Sequence, residues 1–330
     1  MFDIVALGET LIDFTPNGKN DMGMQLFSRN PGGAPANVLA MNAKLGGKTA
    51  FIGKVGADMF GAFLASTMQN AGIDVTGLVK TETVPTTLAF VQLDENGDRS
   101  FSFYRNPGAD ICLTPDEVPL ALLSGCRVFH FGSVSLSDEP SRSATLYAAR
   151  EAKRNGAIIS YDPNYRAPLW RDERTAVRVM LDALALADIV KVSDEEMTLL
   201  TGETELRAGA EKLCKKGASL VMVTCGENGS YFHTALCNGA LPAYDVTAVD
   251  TTGSGDAFLG AVLYRLAGLS VAEIAALSRE ELESTMRYGN AAGGLTATAK
   301  GAITAMPDDE RIRRCVKEQK YRSTPSTVAL

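Results

Sequence analysis

The chain predicts a doubly wound, mostly parallel α/β sheet covered by helices, with a small β lid set apart from it. Three observations carry that expectation. After Pro107, short apolar strands alternate with helical runs, the rhythm of βα units. Strands such as Leu220–Thr224 are apolar almost throughout, as strands covered on both faces must be. Before Pro107, Glu95-Asn96-Gly97-Asp98 places an Asn-Gly pair between two β-rich runs, a hairpin that breaks the rhythm.

In chain order, Ile4–Leu7 is a short apolar strand that Leu11–Phe14 is expected to continue past a break at Gly8. Ala34–Leu45 has helical apolar spacing and meets Gly46-Gly47, a glycine stop for a helix C-terminus. Ala50–Ile52 reads as strand and Phe60–Ala71 as a helix closed by Gly72. Thr86–Asp94 and Arg99–Tyr104 are the two arms of the hairpin. Then follow strand Val128–Phe131, helix Ser141–Asn155, strand Ile158–Asp162, helix Arg174–Ala187, strand Ile189–Val192, helix 207–216 and strand Leu220–Thr224. The hairpin and the stretch between Asp13 and Pro31 stand outside this alternation and make the lid. The expected division is a body of 1–12, 32–84 and 108–322, a lid of 13–31 and 85–107, and a disordered tail at 323–330.

Composition narrows the function. With 330 residues and 45% hydrophobic content the chain can build a large core. A net charge of −7 argues against nucleic acid or an anionic membrane as partner, although local amides and a few arginines can still bind ATP. No apolar run approaches the roughly 18 residues a membrane span needs, and no basic leader follows Met1, so neither span nor signal peptide is expected. Six scattered cysteines without Cys-x-x-Cys spacing read as reduced thiols in a cytoplasm. His130 and His233 alone make a histidine-based metal site improbable.

The chemistry concentrates in Asp250-Thr251-Thr252-Gly253-Ser254-Gly255-Asp256-Ala257-Phe258, which opens an apolar helical run to Leu269. The glycines let backbone approach a ligand, and the amides of Gly253, Ser254, Gly255 and Asp256 would point at an anion. A carboxylate in that position repels the phosphate the amides attract. It makes sense if Asp256 accepts a proton from a hydroxyl that attacks the phosphate; the alternative is an ordinary N-cap aspartate. Other phosphate loops do not fit. The third glycine of a dinucleotide fingerprint falls on Phe258, and the first glycine of a P-loop ending Gly47-Lys48-Thr49 falls on Asn42.

The Asp256 motif resembles the second signature of the ribokinase-like (PfkB) carbohydrate kinases. Pro31-Gly32-Gly33-Ala34-Pro35-Ala36-Asn37-Val38 resembles the first, in the family's order. Gly8-Glu9-Thr10-Leu11-Ile12-Asp13, Gly53-Lys54-Val55-Gly56-Ala57-Asp58, Phe103-Tyr104-Arg105-Asn106-Pro107 and Asp162-Pro163-Asn164-Tyr165-Arg166 extend the resemblance over nearly the whole chain. Within the family, the last two segments and Gly-Gly-Ala-Pro-Ala-Asn look most like fructokinases.

The resemblance implies an ATP-dependent sugar kinase of ribokinase-like fold, with D-fructose the best substrate. A 2-keto-3-deoxygluconate or riboside kinase is the alternative within the class, and a non-catalytic sugar or nucleotide sensor the alternative outside it. It puts Asp13, Gly33 and Asn37 on the sugar and has Phe103 and Arg105 reach in from the lid. Asn164 and Arg166 would lie near the transferred phosphoryl or the substrate. The family's Asn-x-x-Glu pattern has Ser193 in place of its asparagine, with Glu196 holding Mg2+ through water; the same two residues also spell a capping box. Thr224, Gly226, Gly229 and Asn290 are expected beside the nucleotide. Asp250, Thr252, Thr296, Ala299 and Gly301 match a loop that binds a monovalent cation such as K+ in many relatives. Relatives often dimerise through the lid, whose exposed edges a second copy would cover.

Overall fold

The computed structural model describes residues 1–93 and 99–322. Its strands are β1 (Phe2–Leu7), β2 (Leu11–Lys19), β3 (Gln25–Gly32), β4 (Thr49–Gly56), β5 (Ile73–Thr81), β6 (Leu88–Leu93) and β7 (Arg99–Tyr104). They continue with β8 (Cys126–Gly132), β9 (Ile158–Asp162), β10 (Ile189–Ser193), β11 (Leu220–Thr224), β12 (Ser230–His233) and β13 (Asn238–Leu241). One nine-stranded sheet runs β13-β12-β11-β10-β9-β8-β1-β4-β5, and a four-stranded sheet runs β3-β2-β6-β7. From β5 across to β11 all neighbours in the large sheet are parallel, while β12 and β13 close the far edge antiparallel.

The large sheet is the doubly wound one that the alternation predicts. Successive side chains on its strands point to opposite faces, and each face has its own core. On β1, Ile4 and Ala6 join one core, Val5 and Leu7 the other. The first core is closed by helix Ser254–Leu266, where Ala257, Phe258, Leu259, Ala261, Val262 and Leu263 are all buried. A helix apolar on nearly every side has to be enclosed, and helices Ala34–Lys44 and Arg279–Thr296 pack on either side of it. After β1 the chain winds first toward β4 and β5, and later back to β8 through β11. Strand order therefore reverses between β1 and β8, and the crevice beyond their C-terminal ends is where open α/β sheets hold ligands.

The local stop signals act as read. Helix Ala34–Lys44 ends before Gly46 at φ 98°, and helix Met59–Asn70 before Gly72 at φ 84°. Asp58 caps the second of these by accepting from the amides of Phe60 and Gly61 at 3.0 and 2.8 Å. β6 and β7 pair antiparallel from Leu88↔Tyr104 to Leu93↔Arg99 as the hairpin reading requires; its Asn96-Gly97 turn lies outside the described residues, as does the 323–330 tail.

Four elements differ. Leu11–Phe14 does not continue the N-terminal strand. The chain leaves the large sheet after Leu7, and β2 pairs instead with β3 and β6. A short β-rich run shows its period but not which sheet it joins. The edge strand β5 mixes Asp74, Thr76 and Gly77 with apolar residues, and β12 and β13 have only four residues each, so their periodicity was too weak to read. Among the described residues no helix is long and apolar enough to cross a membrane.

Candidate active site

Two cavities meet at the N-terminus of helix Ser254–Leu266. The first, about 320 Å³, is walled by residues from both sheets, among them Asp13, Gly33, Asn37, Phe103, Asn164, Arg166 and Asp256. The second, about 510 Å³, lies toward β10 and β11 and includes Ser193, Thr224, Gly226, Gly229 and Asn290. Thr251 and Gly255 belong to both walls. Both volumes suit small ligands, and the helix N-terminus stands at their junction.

Asp256 is buried there. Its Oδ2 accepts from Asn37 Nδ2 at 2.8 Å and its Oδ1 from Asn164 Nδ2 at 3.4 Å. Asn164 holds φ at 45°, a left-handed conformation uncommon for a residue with a side chain. Burial lifts the Asp256 carboxyl from 3.8 to about 6, with the Asn37 hydrogen bond working against the rise. It is therefore mostly ionised at neutral pH and close enough to neutrality to take up a proton. Gly253 begins the helix at φ 76° and no side chain caps it. The amide of Ser254 turns back to Thr251 O at 3.2 Å, which removes it from the set expected to face an anion.

Asp13 reaches the first cavity from β2 of the small sheet, not from the end of a strand of the large one. Its carboxylate lies so close to Gly32 that a Cβ there would stand 2.1 Å from Oδ2. Burial raises its pKa to about 6, opposed by the positive charge of Arg166. Gly33 adopts φ 124°, and a Cβ on it would meet Glu9 O at 2.4 Å, so only glycine fits between β1 and the next helix. Arg166 is exposed, and its guanidinium bonds to the neighbouring Tyr165 carbonyl at 3.0 Å. Arg105 is placed differently from its expected reach toward the sugar. It ion-pairs with Asp110 at 2.7 Å and donates to Ser137 Oγ and Val134 O, with its side chain only 6% exposed. A guanidinium committed on three sides holds the end of β7 against the body and does not form the cavity wall.

Ser193 and Glu196 form the capping box. Glu196 Oε1 accepts from the Tyr165 amide at 2.7 Å and Oε2 from the Ser193 amide at 2.8 Å. Glu196 walls neither cavity. Burial and the adjacent Asp162 raise its pKa, while Lys191 opposes the rise. Asn290 donates to Pro242 O at 3.3 Å on the second wall. Asp250 draws its own turn and the later loop together: Oδ1 accepts from Thr252 N and Oγ1, and Oδ2 from Gly301 N at 3.0 Å. Among the described residues no cluster of three His, Cys, Asp or Glu side chains could hold a metal by itself.

Two groups escaped the sequence reading. Lys191 points from β10 onto the same face as Ile189, toward the helix N-terminus. Its Nζ is 3.0 Å from Asp162 Oδ2 and 3.1 Å from where a Cβ on Gly255 would be. Burial works against its charge, but Asp162, Glu196 and Asp256 together hold its pKa above the ordinary lysine value. A lysine inside Ile189–Val192, a strand expected to be covered on both faces, was the available signal, because such a charge must find a partner. Glu9 is the other. It is 5% exposed, its Oε1 accepts from Ala34 N at 2.9 Å, and burial raises its pKa to about 7. Its place at the end of β1, on the strand-end crevice, was the signal for it.

Residues 1–309 match the profile described as pfkB family carbohydrate kinase. Probable fructokinase-3 of Arabidopsis thaliana is 44% identical over 325 residues, covering 97% of this chain and 93% of that protein. Fructokinase with bound ATP from Xylella fastidiosa superposes with a TM-score of 0.89 at 35% identity, over 96% of this chain and 99% of that one. A fructokinase double mutant from Vibrio cholerae O395, in a fructose-, ADP- and potassium-bound form, gives 0.83 at 33% identity over 94% and 97%.

Proposed function

Since the chain belongs to the pfkB family of carbohydrate kinases, we propose that it transfers the γ-phosphoryl of ATP to the primary hydroxyl of D-fructose, giving fructose 6-phosphate and ADP. The substrate follows from the likeness to fructokinases across nearly the full length of both chains. The observation that carries the mechanism is the position of Asp256, a buried carboxylate on the wall of one cavity beside a glycine that walls both.

The sugar occupies the first cavity, with Asp13 and the Gly33 backbone on its hydroxyls, and Asn37 orients the base through its bond to Asp256. The nucleotide occupies the second and directs its terminal phosphoryl to the junction at Gly255. Asp256 accepts the hydroxyl proton as the sugar oxygen bonds to phosphorus and the bond to the ADP oxygen breaks. Negative charge gathering on the phosphoryl meets the amides of Gly253, Gly255 and Asp256, the Lys191 ammonium and Arg166. Lys191, held by Asp162, brings its charge to this point without a further rearrangement.

Mg2+, when bound, neutralises the triphosphate. Glu196 would hold it through water, which suits a carboxylate whose two oxygens already accept backbone amides and an ion that keeps several of its waters. Asp250, Thr252, Thr296, Ala299 and Gly301 would hold a monovalent cation, an assignment supported by the contact of Asp250 with Gly301. The small sheet serves as a lid: Asp13 and Phe103 reach the sugar from it and exclude water that would compete as nucleophile. Met22 and Met24 on the turn between β2 and β3, and Leu26 and Phe27 on β3, are exposed, and a second copy covering them makes a homodimer the expected assembly. All six cysteines are free, which suits a cytoplasmic enzyme.

The test is ADP release from MgATP with purified protein, across fructose, 2-keto-3-deoxygluconate, ribose, glucose and nucleosides, with and without potassium. Turnover on fructose above all others is expected. Turnover confined to the keto acid would overturn the substrate, and ATP binding without turnover on any sugar would overturn the reaction.

A further inference from the structure

The second cavity has a wall that the chemistry above leaves unused. After helix Asp309–Glu318 the chain returns to the body and lies along residues 243–245. The Asp245 amide donates to Lys320 O at 2.9 Å, and the Arg322 amide to Ala243 O at 2.8 Å. Tyr321 stacks on Tyr244 with ring centres 5.0 Å apart and planes 28° from parallel. Backbone pairing and an aromatic stack thus hold 320–322 in one place. This anchorage brings the Arg322 guanidinium to the cavity wall, 3.0 Å from Glu227 on the turn that follows β11.

An ion pair that leaves its side chains 46% and 66% exposed adds little to stability. The pair does, however, set a planar cation and a carboxylate side by side on a cavity wall that also carries Asn290. Arg322, Glu227, Tyr244 and Asn290 wall the second cavity alone, whereas Thr251 and Gly255 are shared with the first. If the reacting phosphoryl sits at the shared wall, as the proposed function has it, the nucleoside end faces Arg322.

We propose that Arg322 and Glu227 recognise the nucleoside part of the nucleotide, the guanidinium plane lying against the purine face and the Glu227 carboxylate accepting from a ribose hydroxyl. The inference rests on the kinase reading of this cavity. A guanidinium suits the role because it is planar, always charged and stacks on aromatic faces, which an ammonium does not do. The C-terminal segment is on this account a piece of the nucleotide site, positioned by Tyr321.

Calorimetric titration of the full chain with ADP, and separately with inorganic pyrophosphate, tests it. Arg322→Ala is expected to weaken ADP about tenfold and leave pyrophosphate unchanged. Arg322→Lys should recover little, because it restores charge without the planar face. In turnover, KM for ATP rises while kcat and KM for fructose hold. Unchanged ADP affinity in Arg322→Ala overturns the inference, and so does an equal loss for pyrophosphate, which would make Arg322 a phosphate ligand. Wild-type protein that binds no ADP would instead sink the kinase reading, so the two failures can be told apart. Arg322 is half exposed, and an unchanged melting temperature checks that the variant is folded.

Discussion

Asp256→Asn removes the proposed proton acceptor and a buried charge in one substitution, and the two losses act in opposite directions. On catalysis, a positioned general base contributes about 10²–10⁴-fold, so kcat is expected to fall by that order. On stability, the rise of the carboxyl from 3.8 to about 6 is roughly two pKa units, or about 3 kcal/mol against the ionised folded form. Below pH 3.8 folded and unfolded chains both carry the proton and nothing is lost. Between 3.8 and about 6 the unfolded chain releases it first, so wild-type stability falls as pH rises and levels off above that window. Asparagine has no charge at any pH. The variant should therefore melt several degrees above wild type at pH 8 and about level with it at pH 4. The site can accept the amide, because Asn37 Oδ1 is buried without a partner and a turned Asn37 would offer it to the new N–H. The assays are steady-state ADP release, ADP titration and thermal melts at the two pH values. Turnover within tenfold of wild type would refute the base assignment. A lower melting temperature at pH 8, with turnover lost, would refute the argument that the buried charge is costly.

Three further outcomes are expected. Gly255→Val places a side chain against Lys191 Nζ, at the point where the proposed site holds the phosphates, so nucleotide affinity should drop at least about tenfold, and unchanged ADP binding would remove the glycine from the anion site. Lys191→Met strands Asp162 and Glu196 without their buried cation; unfolding free energy should fall by about 3–5 kcal/mol in urea denaturation and turnover should collapse, whereas a near-neutral melt would show the pair to be dispensable. Arg105→Ala and Arg166→Ala should separate stability from catalysis. The first leaves buried Asp110 unpaired and is expected to lose about 3–5 kcal/mol of stability. The second should change stability by no more than about 0.5 kcal/mol while lowering kcat/KM, and a reversal of the two would mean the arginines have been assigned backwards.

Much of this protein is written locally. The motif around Asp256, with its glycines and helix start, reads by itself as an anion site with a carboxylate in it, whereas Asn37 is placed on the sugar only by the family resemblance. Apolar strands alternating with helices specify a parallel sheet, because a strand covered on both faces has to be apolar on both. Helix stops at Gly46 and Gly72 are legible because a positive φ is a property of one residue and its neighbours.

What the chain alone left open depends on pairs. The 2.8 Å bond joining Asn37 to Asp256 spans 219 residues and exists only because two helices pack together. Arg105 and Arg166 are the same residue type in similar loops, yet a buried partner, Asp110, ties one to the scaffold while the other keeps its charge at the cavity. Leu11–Phe14 has the same period in either sheet, and its partners β3 and β6 decide which it joins. Lys191 is a single charge within an apolar strand, and only tertiary packing places Asp162 beside it and a helix N-terminus in front of it. Propensity and turn chemistry act within a few residues, so sequence determines them directly. Burial and electrostatic pairing join groups whatever their separation along the chain, from 5 residues for Arg105 and Asp110 to 219 for Asn37 and Asp256, and only the folded chain decides them.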